Sequence, residues 1–193
     1  MDTEVVMTSL VLQPTDTAQW HALVADAQQA CHQQLDEDLE SYLVFMLMRF
    51  TGRPDMVAKL MALEFLEAQK DSHTKPDKLR DVGDQCLLFS GLFPQIAEKR
   101  MVRISYFVRI GRSAYDQLGA LVDHNSDRLF AGLAEAFTGM MDVLQAMRNL
   151  SGDPVLQPIA AAELWADTGS RFAYRCLQQA SGATPVKGVI RPQ

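Results

Sequence analysis

The sequence predicts an all-α fold, a single-domain antiparallel helical bundle of about seven to eight helices with short loops. Three observations carry that reading. Apolar residues recur at spacings of three and four along nearly the whole chain, and no run alternates strictly enough to favour a strand. Glycines, prolines and capping residues interrupt the pattern at intervals suited to ordinary helices. Short connections then favour antiparallel neighbours, and no repeat at a solenoid period is present.

Residues 1–14 form an N-terminal arm with two apolar groups, Val5-Val6 and Leu10-Val11-Leu12, ended by Pro14. The first helix starts at Asp16, with Gln19 three residues on as a capping box, and runs to about Gln34. Trp20, Leu23, Val24, Ala27 and Cys31 make its apolar stripe. Asp36, Glu37 and Asp38 place negative charge at the start of a second helix, as its dipole favours. Leu39 to Phe50 is apolar nearly all round, so this helix is expected at the centre.

Gly52 and Pro54 end that helix and open a third, on which Met56, Val57, Leu60, Met61, Phe65 and Ala68 form a stripe. Glu64 falls beside them as a candidate buried carboxylate. The polar stretch QKDSHTKP, residues 69–76, is a loop, and a fourth helix follows from about Asp77 to Phe89. Ser90-Gly91 and Pro94 break the pattern before a short fifth helix, Pro94 to Ile104. That helix passes into a sixth, about Ser105 to His124, so that the two read as separate helices or as one bent rod.

The seventh helix, about Asp127 to Leu150, has the strongest periodicity: Phe130, Leu133, Phe137, Met140, Met141, Leu144 and Met147. Gly132 and Gly139, near one of its faces, are candidates for close approach by a neighbour. The last helix runs from Pro158 to Ala180, and residues 181–193 read as a flexible tail. The bundle domain is therefore residues 15–180.

With 193 residues the chain is long enough to bury a substantial core without disulfides or metals. A formal charge of −6 argues for solubility and against general attraction to nucleic acid or anionic lipid. Cys31, Cys86 and Cys176 are odd in number and lie at apolar helical positions, which reads as reduced buried thiols in a cytoplasmic protein. The start of the chain has neither a basic region nor a long apolar run, so no leader is expected, and no apolar run is long enough to span a bilayer. No membrane or nucleic-acid partner is expected.

No motif names a reaction. A di-iron bundle needs Glu-x-x-His pairs, which are lacking, and His21 and His32, eleven residues apart on one helix, would be separated by about 16 Å. Neither a metal nor a cofactor is expected. Gly111-Arg112-Ser113 lacks the second glycine of a nucleophile elbow, and Cys31 and His32 point about 100° apart on a helix. Catalytic residues are not assigned.

The segment from Leu79 to Leu118 is different, because it threads charges through runs apolar enough to be core. A charge taken out of water needs a partner, so the segment predicts a polar network. Its candidate members are Arg49, Glu64, Arg80, Asp81, Asp84, Tyr106, Arg109 and Arg112. Arg49 and Arg109 are expected to pair with Asp81, Asp84 or Glu64, and Arg112 with Asp116 at i+4. Lys99, Arg100 and Arg103 are placed on the surface.

The favoured account of this network is a brace that fixes helix register. The leading functional expectation is a non-enzymatic protein that binds a protein partner or itself, as a homodimer through the seventh or last helix. The alternative is a sensor or carrier whose arginine-lined pocket takes a small anionic ligand. A third reading is an enzyme with Asp81, Asp84 or Glu64 as general base beside Tyr106.

Overall fold

A computed structural model describes residues 16–51, 76–122, 124–152 and 156–182. Every regular element among them is a helix, so the all-α expectation holds. In chain order they are α1 (Asp16–Cys31), α2 (Glu37–Thr51), α3 (Pro76–Gly91), α4 (Gln95–Lys99) and α5 (Ile104–Leu121), then α6 (His124–Glu135), α7 (Phe137–Leu150), α8 (Pro158–Thr168) and α9 (Arg171–Ser181). Each contributes buried side chains to one apolar cluster. The arm, the third helix expected at Met56–Ala68 with its Glu64, and the tail from residue 183 lie outside the described residues.

The helices end where their backbones find local substitutes for the missing next turn. α1 stops at Cys31, short of the expected Gln34, because His32 takes a left-handed φ of 49° and the Gln33 amide donates back to the Gln28 carbonyl at 3.1 Å. Asp36 then caps α2, its carboxylate accepting from the Leu39 amide at 2.9 Å. α4 and α5 are not one rod. Met101, at φ 53°, turns the chain while the Val102 amide closes on the Ala97 carbonyl at 3.0 Å.

Two expected long helices are each divided. The seventh breaks at Ala136 into α6 and α7, although the Ala136 amide still reaches the Gly132 carbonyl at 2.8 Å, so the interruption is a one-residue bend. The bend precedes Phe137, whose ring packs against Gly111 and lies 6.0 Å from the Tyr115 ring. The last helix breaks at Gly169, left-handed at φ 74°, and restarts at Ser170, whose hydroxyl accepts from the Ala173 amide at 3.0 Å. Thr168-Gly169-Ser170 is thus a stop signal followed at once by a start signal.

The centre of the molecule is also not where the sequence placed it. α2 buries Leu39, Leu43, Val44, Met46 and Leu47 but leaves Phe45 59% exposed. By contrast α7 is buried without a break from Met140 to Ala146, and α3 from Cys86 to Gly91. α3 packs most extensively on α5, and also on α7.

Missing side chains permit that closeness. A Cβ at Gly83 would lie 2.6 Å from Tyr115 Cδ1, and one at Gly111 would lie 2.7 Å from the Cys86 Cβ. Gly132 and Gly139 do not act this way, since a Cβ at either meets ordinary contacts at 3.7 Å. No helix among the described residues is long and apolar enough to cross a membrane.

Candidate functional site

Two polar clusters form around the Leu79–Leu118 segment, on opposite faces of α5. Tyr106 and Tyr115 are nine residues apart, which is two and a half turns of an α-helix, so they point in opposite directions. Tyr115 turns into the core and Tyr106 toward the surface.

The inner cluster is built on Asp84, which is 1% exposed on α3. Tyr42 of α2 donates its hydroxyl to Asp84 Oδ1 at 2.6 Å, and Tyr115 of α5 donates to the same oxygen at 2.7 Å. Arg49 Nη2, from the last turn of α2, pairs with Oδ2. Both oxygens are therefore engaged, and three helices are tied at one point. Burial pushes the Tyr42 phenol above its ordinary range, against the Tyr115 hydrogen bond and the Arg49 and Arg80 charges, which pull it down. Burial raises the Tyr115 phenol further. Both hydroxyls stay protonated and serve as donors.

Of the expected partners for Arg49, the structure selects Asp84. Asp81 is exposed, and Arg80 is half-buried with its Nη2 3.7 Å from Asp77, a surface pair one turn away. Arg109 does not join the cluster. Asp84 and Tyr106 are not brought together either, so the arrangement of a carboxylate base beside that phenol is not formed by Asp84.

The outer cluster lines a groove of about 850 Å³ along α5, closed on one side by the end of α8. Tyr106, Arg109, Arg112, Ser113 and Asp116 face it from α5, with Asp167 and Thr168 from α8. Arg109 lies over the Tyr106 ring, its guanidinium carbon 5.9 Å from the centroid, a cation–π contact that leaves its donors free to turn outward. Arg103 bridges α5 to α8, with Nε 3.4 Å from Glu163 and Nη1 3.5 Å from Asp167. Ser105 Oγ donates to the same Asp167 carboxylate at 2.7 Å.

Arg103 lies on the surface as expected, with its side chain 60% exposed, and its ion pairs there reach across to α8. The expected Arg112–Asp116 pair is absent among the described ion pairs, although both residues face the groove. Arg109 and Arg112 are both exposed, and neither has a carboxylate partner among the described residues.

A second buried carboxylate, unassigned from sequence, is Asp142 on α7. Ser170 donates its hydroxyl to Oδ1 at 2.6 Å, and the Arg171 and Phe172 amides donate to Oδ2 at 2.9 and 3.2 Å. Asp142 therefore holds the first turn of α9 from another helix. Burial raises its carboxyl above the ordinary range, partly offset by those hydrogen bonds. Gln145 and Arg148, about one and two turns along, donate to the Ser90 and Leu92 carbonyls at 2.8 and 2.9 Å, satisfying the end of α3.

Near the α1–α2 turn, Glu40 accepts from Gln28 Nε2 at 2.9 Å and lies 3.1 Å from His21 Nδ1. Those two contacts lower the Glu40 carboxyl below its usual range. No group of three His, Cys, Asp or Glu side chains among the described residues is arranged to hold a metal ion. Compared with protein-family models, curated proteins and solved structures, the chain matches none.

Proposed function

We propose that the protein works by binding, not catalysis, and that the groove between α5 and α8 receives an anionic ligand. The observation that carries this reading is the pair Arg109 and Arg112. They lie three residues apart on one helix face, border a groove of about 850 Å³, and have no carboxylate partner among the described residues. Side chains at i and i+3 are neighbours, so two planar guanidiniums can converge on one carboxylate or phosphate group. The volume falls within the range of ligand clefts. The Asp84 cluster, with every oxygen engaged and the carboxylate in the core, acts as the brace that holds α5 in place beneath the groove.

A thermal-shift series with citrate, pyrophosphate and neutral controls tests this. A ligand present at 100 times its dissociation constant adds about 2.7 kcal/mol of stability. Polyanions are expected to raise the midpoint, less so as salt screens the exposed guanidiniums, and the Arg109→Ala, Arg112→Ala double variant is expected to lose the shift while keeping its fold. Equal shifts in the double variant and the native chain would remove the reading.

A further inference from the structure

We propose that the anion taken by this groove is one end of a small dipolar molecule, whose other end is an ammonium group held by Asp116. The inference rests on the anion-binding reading above and deepens it, by giving the ligand a second charge and a spacing. Tyr106, Arg109, Arg112 and Asp116 follow one another at intervals of three and four residues, so the groove face of α5 is one stripe with its cations ahead of its carboxylate. Asp116 is exposed and, among the described residues, has neither an ion pair nor a hydrogen bond. Arg112 stands four residues before it, yet the two do not pair. A base placed four residues ahead of an acid is the weaker of the two helical orders, which leaves both side chains open to a ligand.

The groove's other carboxylate is already engaged. Asp167 Oδ2 lies 3.5 Å from Arg103 Nη1 and accepts from Ser105 Oγ at 2.7 Å. The acid with no cation of its own is therefore Asp116, further along α5. Ser113, on the same face, accepts from Gln117 Nε2 at 3.0 Å. That contact leaves its hydroxyl proton to donate to an anion held at Arg112.

The helix sets the spacing. At 1.5 Å per residue, Asp116 lies about 8 Å along α5 from the midpoint of Arg109 and Arg112. An α-amino acid carries its ammonium and carboxylate on one carbon and cannot serve both ends. An ω-amino acid or an aminoalkyl phosphate, with an unbranched chain between its charges, spans the distance. The charge of the whole chain favours the same class: a formal charge of −6 repels a free polyanion, and repels far less a molecule whose own charges nearly cancel. An ammonium on the ligand also turns Asp116 from a source of repulsion into a contact.

Isothermal titration calorimetry at low salt tests the proposal. Aminopentylphosphonate carries both charges at the required spacing, and aminoethylphosphonate carries them too close together. Pentylphosphonate and pentylamine each carry one of the two, and pyrophosphate reports anion binding alone. The proteins are the native chain, Asp116→Asn, and the Arg109→Ala, Arg112→Ala double variant. All three side chains are exposed, and Asp116→Asn breaks no contact among the described residues, so the fold is expected to persist by circular dichroism.

The native chain is expected to bind aminopentylphosphonate about threefold more tightly than pentylphosphonate, as for an exposed ion pair at low salt. Asp116→Asn is expected to erase that advantage while binding pentylphosphonate at least as well, and to leave aminoethylphosphonate unchanged. The double variant is expected to bind neither pentyl compound. If pyrophosphate binds but the two pentylphosphonates bind alike or not at all, or if the advantage survives Asp116→Asn, this inference fails while the anion reading stands. A loss of aminoethylphosphonate in Asp116→Asn equal to that of the longer compound contradicts the spacing and has the same result. Pentylamine binding as tightly as aminopentylphosphonate means that the phosphonate contributes nothing, and the inference fails whether or not pyrophosphate binds. If no anion binds, or the double variant binds anions unchanged, both readings fail.

Discussion

Asp84 and Asp142 are both buried carboxylates, yet they stabilise the molecule in different ways. Asp84 joins three helices through two phenols and a guanidinium, so Asp84→Ala leaves Tyr42, Tyr115 and Arg49 without their acceptor. Removing one partner of a buried ion pair costs about 3–5 kcal/mol; since the Arg49 side chain is 31% exposed and can rehydrate, the lower end is expected. Tyr115→Phe should cost about 1 kcal/mol, and urea denaturation of the two variants would check the order. Asp142 has only neutral donors within hydrogen-bonding reach, and its raised carboxyl means that the folded state binds more protons than the unfolded one above the ordinary Asp range. Its contribution is therefore fully present below the unfolded value and declines as pH rises toward the folded one. Asp142→Asn keeps an oxygen acceptor without the charge, so the native chain should lose stability relative to that variant as pH rises through this window. Denaturation midpoints of both proteins from pH 4 to 8 would show it, and a constant gap would contradict it. Arg49 and Asp84 were legible in the sequence because they stood out against apolar runs, although only geometry could choose Asp84 over Asp81. Tyr42 and Tyr115 were not among the candidates, and Arg109 lies in the outer groove instead. Asp142 was not legible, because its role depends on Ser170 and the amides after it, 28 residues further on.

At the scale of elements, the crossing of α3 and α5 depends on an absent side chain. A Cβ at Gly83 would fall 2.6 Å from Tyr115 Cδ1, so Gly83→Ala has to displace a ring whose hydroxyl is anchored on Asp84. Overpacking of this kind costs about 1–3 kcal/mol. The loss should be less than additive with Tyr115→Ala, which clears the space, and a double-mutant cycle measures that coupling. Strict additivity would mean that the helices shift apart instead. Most helices were legible because the 3.6-residue period continues through them, but the same strength hid the breaks. Phe130, Leu133, Phe137 and Met140 keep their spacing across Ala136, so nothing local marks the bend. Thr168-Gly169-Ser170 did carry a readable stop and start, overlooked because Leu164, Phe172 and Leu177 keep the apolar pattern going. The central position expected for α2 failed for another reason. Phe45 is as apolar as its neighbours, and composition alone does not reveal which face of a helix the rest of the chain leaves uncovered.

Across the whole molecule, the three cysteines report how evenly the fold resists opening, because each lies on a different helix and none forms a disulfide. Cys86, fully buried in the middle of α3, lies where α3 and α5 meet beside Gly111, and burial holds its thiol well above the ordinary range. Cys31 is almost as buried, but it ends α1 at the turn into α2. Cys176 is only partly covered on α9, whose first turn depends on Asp142. The thiolate is the reactive form, so raised thiols react slowly even where reagent can enter, and a buried thiol waits for the structure to open. Alkylation in the native state should therefore run Cys176 first, then Cys31, then Cys86, with site-resolved mass spectrometry giving the three rates. In rising urea, Cys86 should follow the slope of global unfolding, because exposing it separates α3 from α5 and α7 together, whereas Cys176 should change little before the main transition. Labelling of Cys86 at the rate of Cys176 in native buffer would mean that the α3–α5 contact opens locally. The Asp84 brace would then fail to hold α5 as a fixed wall for the groove.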